Sequence, residues 1–148
     1  EKWSPKTRET ADHSLPFCVA AAVLDGNITM ATFTERMADE DLLGLMQKVR
    51  IEKDGGLEAL YPQAIPNRVE ITLKSGRTVS REILFPKGHP KNPLTDREVE
   101  EKFRALGDWY FSGNEIDSVL SSLWKLDDMK DMKELLALFE KGRRKHGA

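Results

Sequence analysis

Val69-Glu70-Ile71-Thr72-Leu73-Lys74-Ser75-Gly76 decides the fold class. Apolar Val69, Ile71 and Leu73 alternate with polar Glu70, Thr72 and Lys74, the period of a strand with one face turned to a core. Ser75-Gly76 supplies a tight turn, and Arg77 to Phe85 returns with Val79, Ile83 and Phe85, so the stretch predicts a β-hairpin. Arg81 interrupts the apolar face of the return strand, which predicts a bulge or an ion pair at that point. Upstream, Val49 to Lys53 also alternates and reads as a third strand, ended by Asp54-Gly55-Gly56. Tyr61 to Asn67, holding Pro62 and Pro66, reads as loop.

Helical signals flank this sheet on both sides. Ser14 is a good N-cap, and Pro16 falls in a first turn, where its missing N–H costs nothing. Phe17 to Leu24 is apolar nearly all round, which predicts a buried helix stopped by Asp25-Gly26-Asn27. Thr32 or Thr34 opens a short helix through Met37. Asp39 caps another, with Leu42, Leu43, Leu45 and Met46 as its apolar positions. Beyond the hairpin, Pro86 to Pro93 is a rigid loop with three prolines. Thr95-Asp96-Arg97-Glu98 has the spacing of a capping box. Val99, Phe103, Leu106 and Tyr110 follow as a helical stripe, and Trp109 and Trp124 also fall at core spacing. A further helix runs from about Asn114 through Ile116, Val119, Leu120, Leu123 and Trp124, until Asp127-Asp128 interrupts it. The last carries Met132, Leu135, Leu136 and Phe139. The expected fold is α+β: a small, mainly antiparallel sheet of about three strands with a central hairpin, covered by helices. Residues 1–12 read as an extended lead-in or linker, 13–140 as the domain, and 141–148 as a basic tail.

The chain has 148 residues, 39% of them hydrophobic, enough for one domain with a real core. Lys and Arg number 23 against 25 Asp and Glu. This balance argues against bulk attraction to nucleic acid or to an anionic membrane. The longest apolar run, Leu15 to Leu24, is about half the roughly 18 residues of a membrane span. Cys18 is the single cysteine, which excludes an intrachain disulfide and fits a reducing, cytoplasmic setting. The start at Glu1-Lys2-Trp3, without an initiator Met, leads us to expect a piece of a longer protein.

Chemistry has few places to sit. No phosphate-binding glycine loop, zinc spacing or Ser-His-Asp order is present. His13 directly precedes the Ser14 cap, beside the unpaired N–H groups of a helix start. That positive end favours an anion and is expected to push His13 below its reference pKa of about 6.5. A neutral imidazole there suits general base work; the competing reading is a capping His in a loop. Lys6, Arg8 and His13 form either an anion funnel or a charged linker. His89, flanked by Lys87 and Lys91, could hold a carboxylate or phosphate, or lie in a solvated loop. Cys18 reads as a small core residue, and His146 as part of a solvated tail.

These residues resemble a known family. Thr10-Ala11-Asp12-His13-Ser14-Leu15-Pro16-Phe17, with the apolar helix ending Leu24-Asp25-Gly26, is similar to the opening of the C-terminal domain of the MmgE/PrpD family. The hairpin, Gly88-His89-Pro90-Lys91-Asn92-Pro93-Leu94-Thr95 and Glu101-Lys102-Phe103-Arg104 agree in order, so the resemblance runs from about Pro5 to Phe139. The family includes 2-methylcitrate dehydratase, cis-aconitate decarboxylase and iminodisuccinate epimerase. The resemblance implies an α+β lid domain of a lyase acting on small polycarboxylates without cofactor or metal, of the 2-methylcitrate dehydratase kind that serves propionate metabolism. It implies a missing N-terminal helical domain, a cleft between the two, and a homodimer at full length. The fragment alone is then expected to be inactive. The resemblance implies a catalytic role for His13, with Ser14, Lys6 and Arg8 as substrate neighbours; His89 and Lys91 match a family loop without an assigned role. A non-catalytic dimerisation or protein-binding module is the alternative class.

Overall fold

The computed structural model describes residues 2–143, without the side chains of 141–143. The chain divides into two compact units, Glu1–Ala59 and Leu60–Ala148.

The first unit is helical. The stretch expected to be an extended lead-in instead holds helix α1, Arg8–Asp12. Thr7 caps it, accepting the Thr10 N–H, while the Thr10 hydroxyl oxygen accepts the N–H groups of Lys6 and Thr7. Helix α2, Leu15–Asp25, starts on Ser14 and carries Pro16 in its first turn. It ends at Gly26, whose φ of +72° is the left-handed conformation that a glycine tolerates without steric cost. A 3₁₀ turn, Ala31–Phe33, stands where a short helix through Met37 was expected. Helix α3, Glu40–Met46, is capped by Asp39, whose carboxylate accepts the Leu42 N–H at 2.9 Å.

The core of this unit is Ala11, Phe17, Ala20, Ala21, Leu42 and Met46, with Phe33 stacked on Phe17. Small Ala20 and Ala21 let α3 approach α2 closely. The expectation of an all-round buried α2 is corrected: Leu15, Val23 and Leu24 stand exposed, because its packing partners α1 and α3 cover the face of Phe17 and the two alanines. The expected strand at Val49 to Lys53 is also absent. Among the described residues no strand pairs with it, and the Val49 carbonyl accepts the Trp3 indole N–H instead. Asp54 caps a single turn, α4, Gly55–Glu58, rather than breaking a strand.

The second unit holds the hairpin. β1, Asn67–Thr72, pairs antiparallel with β2, Thr78–Ile83, from Asn67 opposite Ile83 to Thr72 opposite Thr78. Gly76, at φ +83°, makes the turn. The register runs through Arg81, opposite Val69, without a bulge. The ion pair sits one position away, where Arg68 meets Glu82 across the strands at 2.9 Å. The α+β class holds, with two strands among the described residues where about three were expected. Val69, Val79 and Ile83, on one side of the hairpin, are exposed.

Three longer helices follow: α5, Asp96–Gly107; α6, Gly113–Leu123; and α7, Met132–Arg143. Helix α7 takes in the first residues of the stretch read as a basic tail, while the rest of that tail, with His146, lies outside the described residues. Their core is Phe111, Ile116, Val119 and Leu120, joined by Phe103, Leu123 and Leu138. Phe139 meets Phe111 edge-on at 5.9 Å. Gly107 packs against Ile116. Of the stripe expected from Val99 to Tyr110, only Phe103 joins this core; Val99 and Leu106 are exposed, and Trp109, Tyr110 and Trp124 are exposed too rather than in the core. Trp124 donates its indole N–H to Glu100 at 2.7 Å, linking the end of α6 to α5.

Candidate functional site

His13 sits at a joint: it is the C-cap of α1 and directly precedes the N-cap of α2. Its side chain is 72% exposed. Its Nδ1 lies 2.9 Å from the Glu9 carbonyl oxygen and 2.5 Å from Asp12 Oδ1. Both partners accept, so Nδ1 carries a proton and, in the neutral ring, Nε2 holds the lone pair. The His13 carbonyl accepts from the Lys2 ammonium at 2.8 Å.

This arrangement reverses the expected pKa direction. The Glu9 carbonyl, then the hydrogen bond and charge of Asp12, hold the imidazole above its ordinary value; desolvation and Lys2 oppose them weakly. The positive start of α2 was expected to dominate. The Glu9 carbonyl that instead raises the pKa lies in α1, inside the stretch read as linker.

Ser14 is fully buried. Its hydroxyl donates to the Lys2 carbonyl at 2.5 Å and accepts the Phe17 N–H at 3.2 Å. The hydroxyl proton is therefore committed within the fold. Lys6 is exposed just ahead of α1. Arg8 opens α1 and is also exposed, with Nη2 3.5 Å from the sulfur of Met30. Cys18 lies part-buried with Sγ 3.8 Å from the Ala11 and Asp12 carbonyl oxygens. Burial, then the Asp12 charge, raises its thiol pKa, which fits a packing residue rather than a nucleophile.

His89 and Lys91 belong to the second unit. The His89 ring stacks on Phe85 at 4.9 Å, and its Nδ1 accepts the Lys91 backbone N–H at 3.1 Å. Its neutral proton therefore sits on Nε2, the opposite tautomer to His13. The Lys91 ammonium lies 4.9 Å from the centre of the Phe85 ring, and Lys87 is paired with Glu98 at 2.9 Å.

Asp12, Glu9 and Lys2 were not singled out from the sequence. Asp12 had a readable signal, its place beside His13. The Glu9 carbonyl had none without α1. No group of three His, Cys, Asp or Glu side chains among the described residues could hold a metal ion. No helix among them is long and apolar enough to cross a membrane. A groove of about 420 Å³ is lined by Trp3, Gln47, Val49, Arg50, Ile51 and Glu52, and includes none of the candidate residues.

A family model described as the MmgE/PrpD C-terminal domain matches residues 1–126. The chain is similar to cis-aconitate decarboxylase of Mus musculus, 27% identical over 141 residues, covering 92% of this chain and 28% of the relative. It is similar to cis-aconitate decarboxylase of Homo sapiens, 28% identical over 143 residues with the same coverage. The cis-aconitate decarboxylase-like protein oryM of Aspergillus oryzae (strain ATCC 42149 / RIB 40) is 25% identical over 147 residues, covering 92% of this chain and 29% of that relative. The chain thus spans less than a third of the length of these curated relatives.

Proposed function

The chain belongs to the MmgE/PrpD family as its C-terminal domain, and from that premise we propose that it forms one side of the active site of a lyase acting on a small polycarboxylate. The observation that carries this reading is the His13 ring. Its Nδ1 is held by two acceptors and its Nε2 is left to exchange a proton with a bound molecule. In the proposed reaction, Nε2 either takes the proton from a carbon next to a substrate carboxylate as the neighbouring hydroxide leaves and is protonated to water, or gives a proton to the carbon whose bond to carbon dioxide has broken. The substrate's carboxylates are held by Lys6 and Arg8, one on each side of the Thr7 cap. Ser14 contributes by fixing the start of α2. Charge that develops on the carboxylate in the transition state needs fixed donors, which such cations and the helix start supply.

The other half of the site is proposed to come from an N-terminal helical domain, in a full-length homodimer of the cytoplasm. The relatives' names favour decarboxylation of cis-aconitate; the resemblance read from the sequence favours dehydration of 2-methylcitrate. Both need a proton moved beside a carboxylate. The deciding experiment compares wild type with His13→Ala in the full-length protein, assayed on cis-aconitate, citrate and 2-methylcitrate. General acid–base catalysis is worth about 10²–10⁴ in rate. A loss of that order on the accepted substrate is expected, and activity within a few-fold of wild type overturns the reading.

A further inference from the structure

We propose that Asp12 is a positioning residue for His13: with the Glu9 carbonyl it holds the ring as the Nδ1–H tautomer and leaves Nε2 as the atom that exchanges a proton. What Nε2 does for a substrate rests on the functional reading above; the arrangement of the ring does not.

A histidine as exposed as this one has room to rotate about both side-chain bonds, and in water it samples both tautomers. Here one nitrogen is held at 2.9 Å by a backbone carbonyl and at 2.5 Å by a carboxylate oxygen. A carbonyl cannot donate, and an ionised Asp cannot either, so the shared proton belongs to Nδ1. The partner of one ring nitrogen sets the state of the other.

Two further points separate this from an incidental contact. Asp12 is the last residue of α1, and a carboxylate in a final turn faces the negative end of the helix dipole. Helix stability does not ask for an acid there, whereas a ring that must keep its proton on Nδ1 does. The remaining groups around the ring neither compete for Nδ1 nor cancel Asp12. Lys2 is directed at the backbone carbonyl of His13. The Cys18 thiol, on α2, is kept protonated by burial and contacts the Asp12 carbonyl rather than its carboxylate. Glu9 meets the ring through its main chain.

The test is NMR of the ¹⁵N-labelled histidine ring in wild type, Asp12→Asn and Asp12→Ala. In wild type, above the titration, the neutral His13 ring is expected to be mainly Nδ1–H. Asp12→Asn keeps the shape and removes the charge, so the His13 midpoint falls. Asp12→Ala lowers it too and moves the neutral ring toward Nε2–H. The proposal is overturned if the wild-type ring is already mainly Nε2–H, a measurement that needs no variant to fold. It is equally overturned if both variants titrate with wild type. None of these readouts involves a substrate. A His13→Ala enzyme that keeps its activity would end the functional reading while leaving the tautomer result standing.

Discussion

Ser14 Oγ donates to the backbone carbonyl of Lys2, twelve positions earlier, at 2.5 Å, and accepts the N–H of Phe17 at 3.2 Å. One buried hydroxyl thus caps α2 and pins the N-terminal segment to it. Ser14→Ala removes both bonds at once. Loss of such a cap costs about 1–2 kcal/mol, and the freed Lys2 carbonyl, in an exposed residue, recovers water as a partner. Chemical denaturation is expected to show a drop of that size. A variant as stable as wild type would mean that the Lys2 contact and the cap contribute nothing net.

Glu98 closes the capping box of α5: its carboxylate accepts the Thr95 N–H and the Thr95 hydroxyl, both at 2.8 Å, and pairs with Lys87 at 2.9 Å. The Thr95 N–H, then Lys87 and the Thr95 hydroxyl, lower its pKa from 4.5 to about 2. A depressed carboxylate stabilises the fold fully above its unfolded pKa and loses that contribution as pH falls through the folded one. The stability of wild type is therefore expected to decline between about pH 4.5 and 2. Glu98→Gln, which has no such proton to gain, should lack this part of the decline. Parallel acid titrations of the two proteins by circular dichroism decide it; coincident curves would refute the assignment.

That capping box was legible in advance because everything it needs lies within four residues. The hairpin was legible for a similar reason: alternation and a Ser-Gly turn set the register locally, and the register then carries Arg81 past Val69 without a bulge. Val49 to Lys53 has the same alternation and no strand: a strand also needs a partner, and here the Val49 carbonyl accepts the Trp3 indole N–H instead. Helix α1 escaped because its cap closes on Thr10 rather than on the Glu or Gln of the usual box. That omission propagated to the site. Without α1 there is no Glu9 carbonyl one turn behind His13, and only the start of α2 remained to set the charge of the ring. The exposed side of the hairpin and the outer face of α2 depend on which segments come together across the chain, which no local pattern reports.

Leu42 and Leu15 offer the same side chain in opposite settings of the first unit. Leu42 is fully buried among Phe17, Ala20, Ala21 and Met46, while Leu15 is 49% exposed on α2. Truncating a buried Leu to Ala costs about 2–5 kcal/mol, through lost transfer energy and the cavity left behind. Leu42→Ala is expected in that range, and Leu15→Ala within about 1 kcal/mol of wild type, as for surface positions. Urea midpoints measured on the two variants test the packing order. Equal losses would show that the outer face of α2 is covered in solution.

The charge on His13 yields a prediction whose sign is opposite to the one read from the sequence. The Glu9 carbonyl and Asp12 raise the folded-state pKa above the ordinary 6.5. The fold therefore binds a proton more tightly than the unfolded chain does. The stability this contributes is fully present below 6.5 and is lost as pH rises through the folded value. The Nδ1–H bond to Glu9 survives deprotonation, so only the part due to charge titrates. The stability of wild type relative to His13→Ala is then larger at about pH 5 than at about pH 8.5. Had the positive start of α2 governed the ring, the neutral form would be favoured and the advantage would grow with pH instead. Denaturation of both proteins at the two pH values separates the cases by sign alone. An advantage that rises with pH would mean that the ring answers to α2 and not to the carbonyl end of α1.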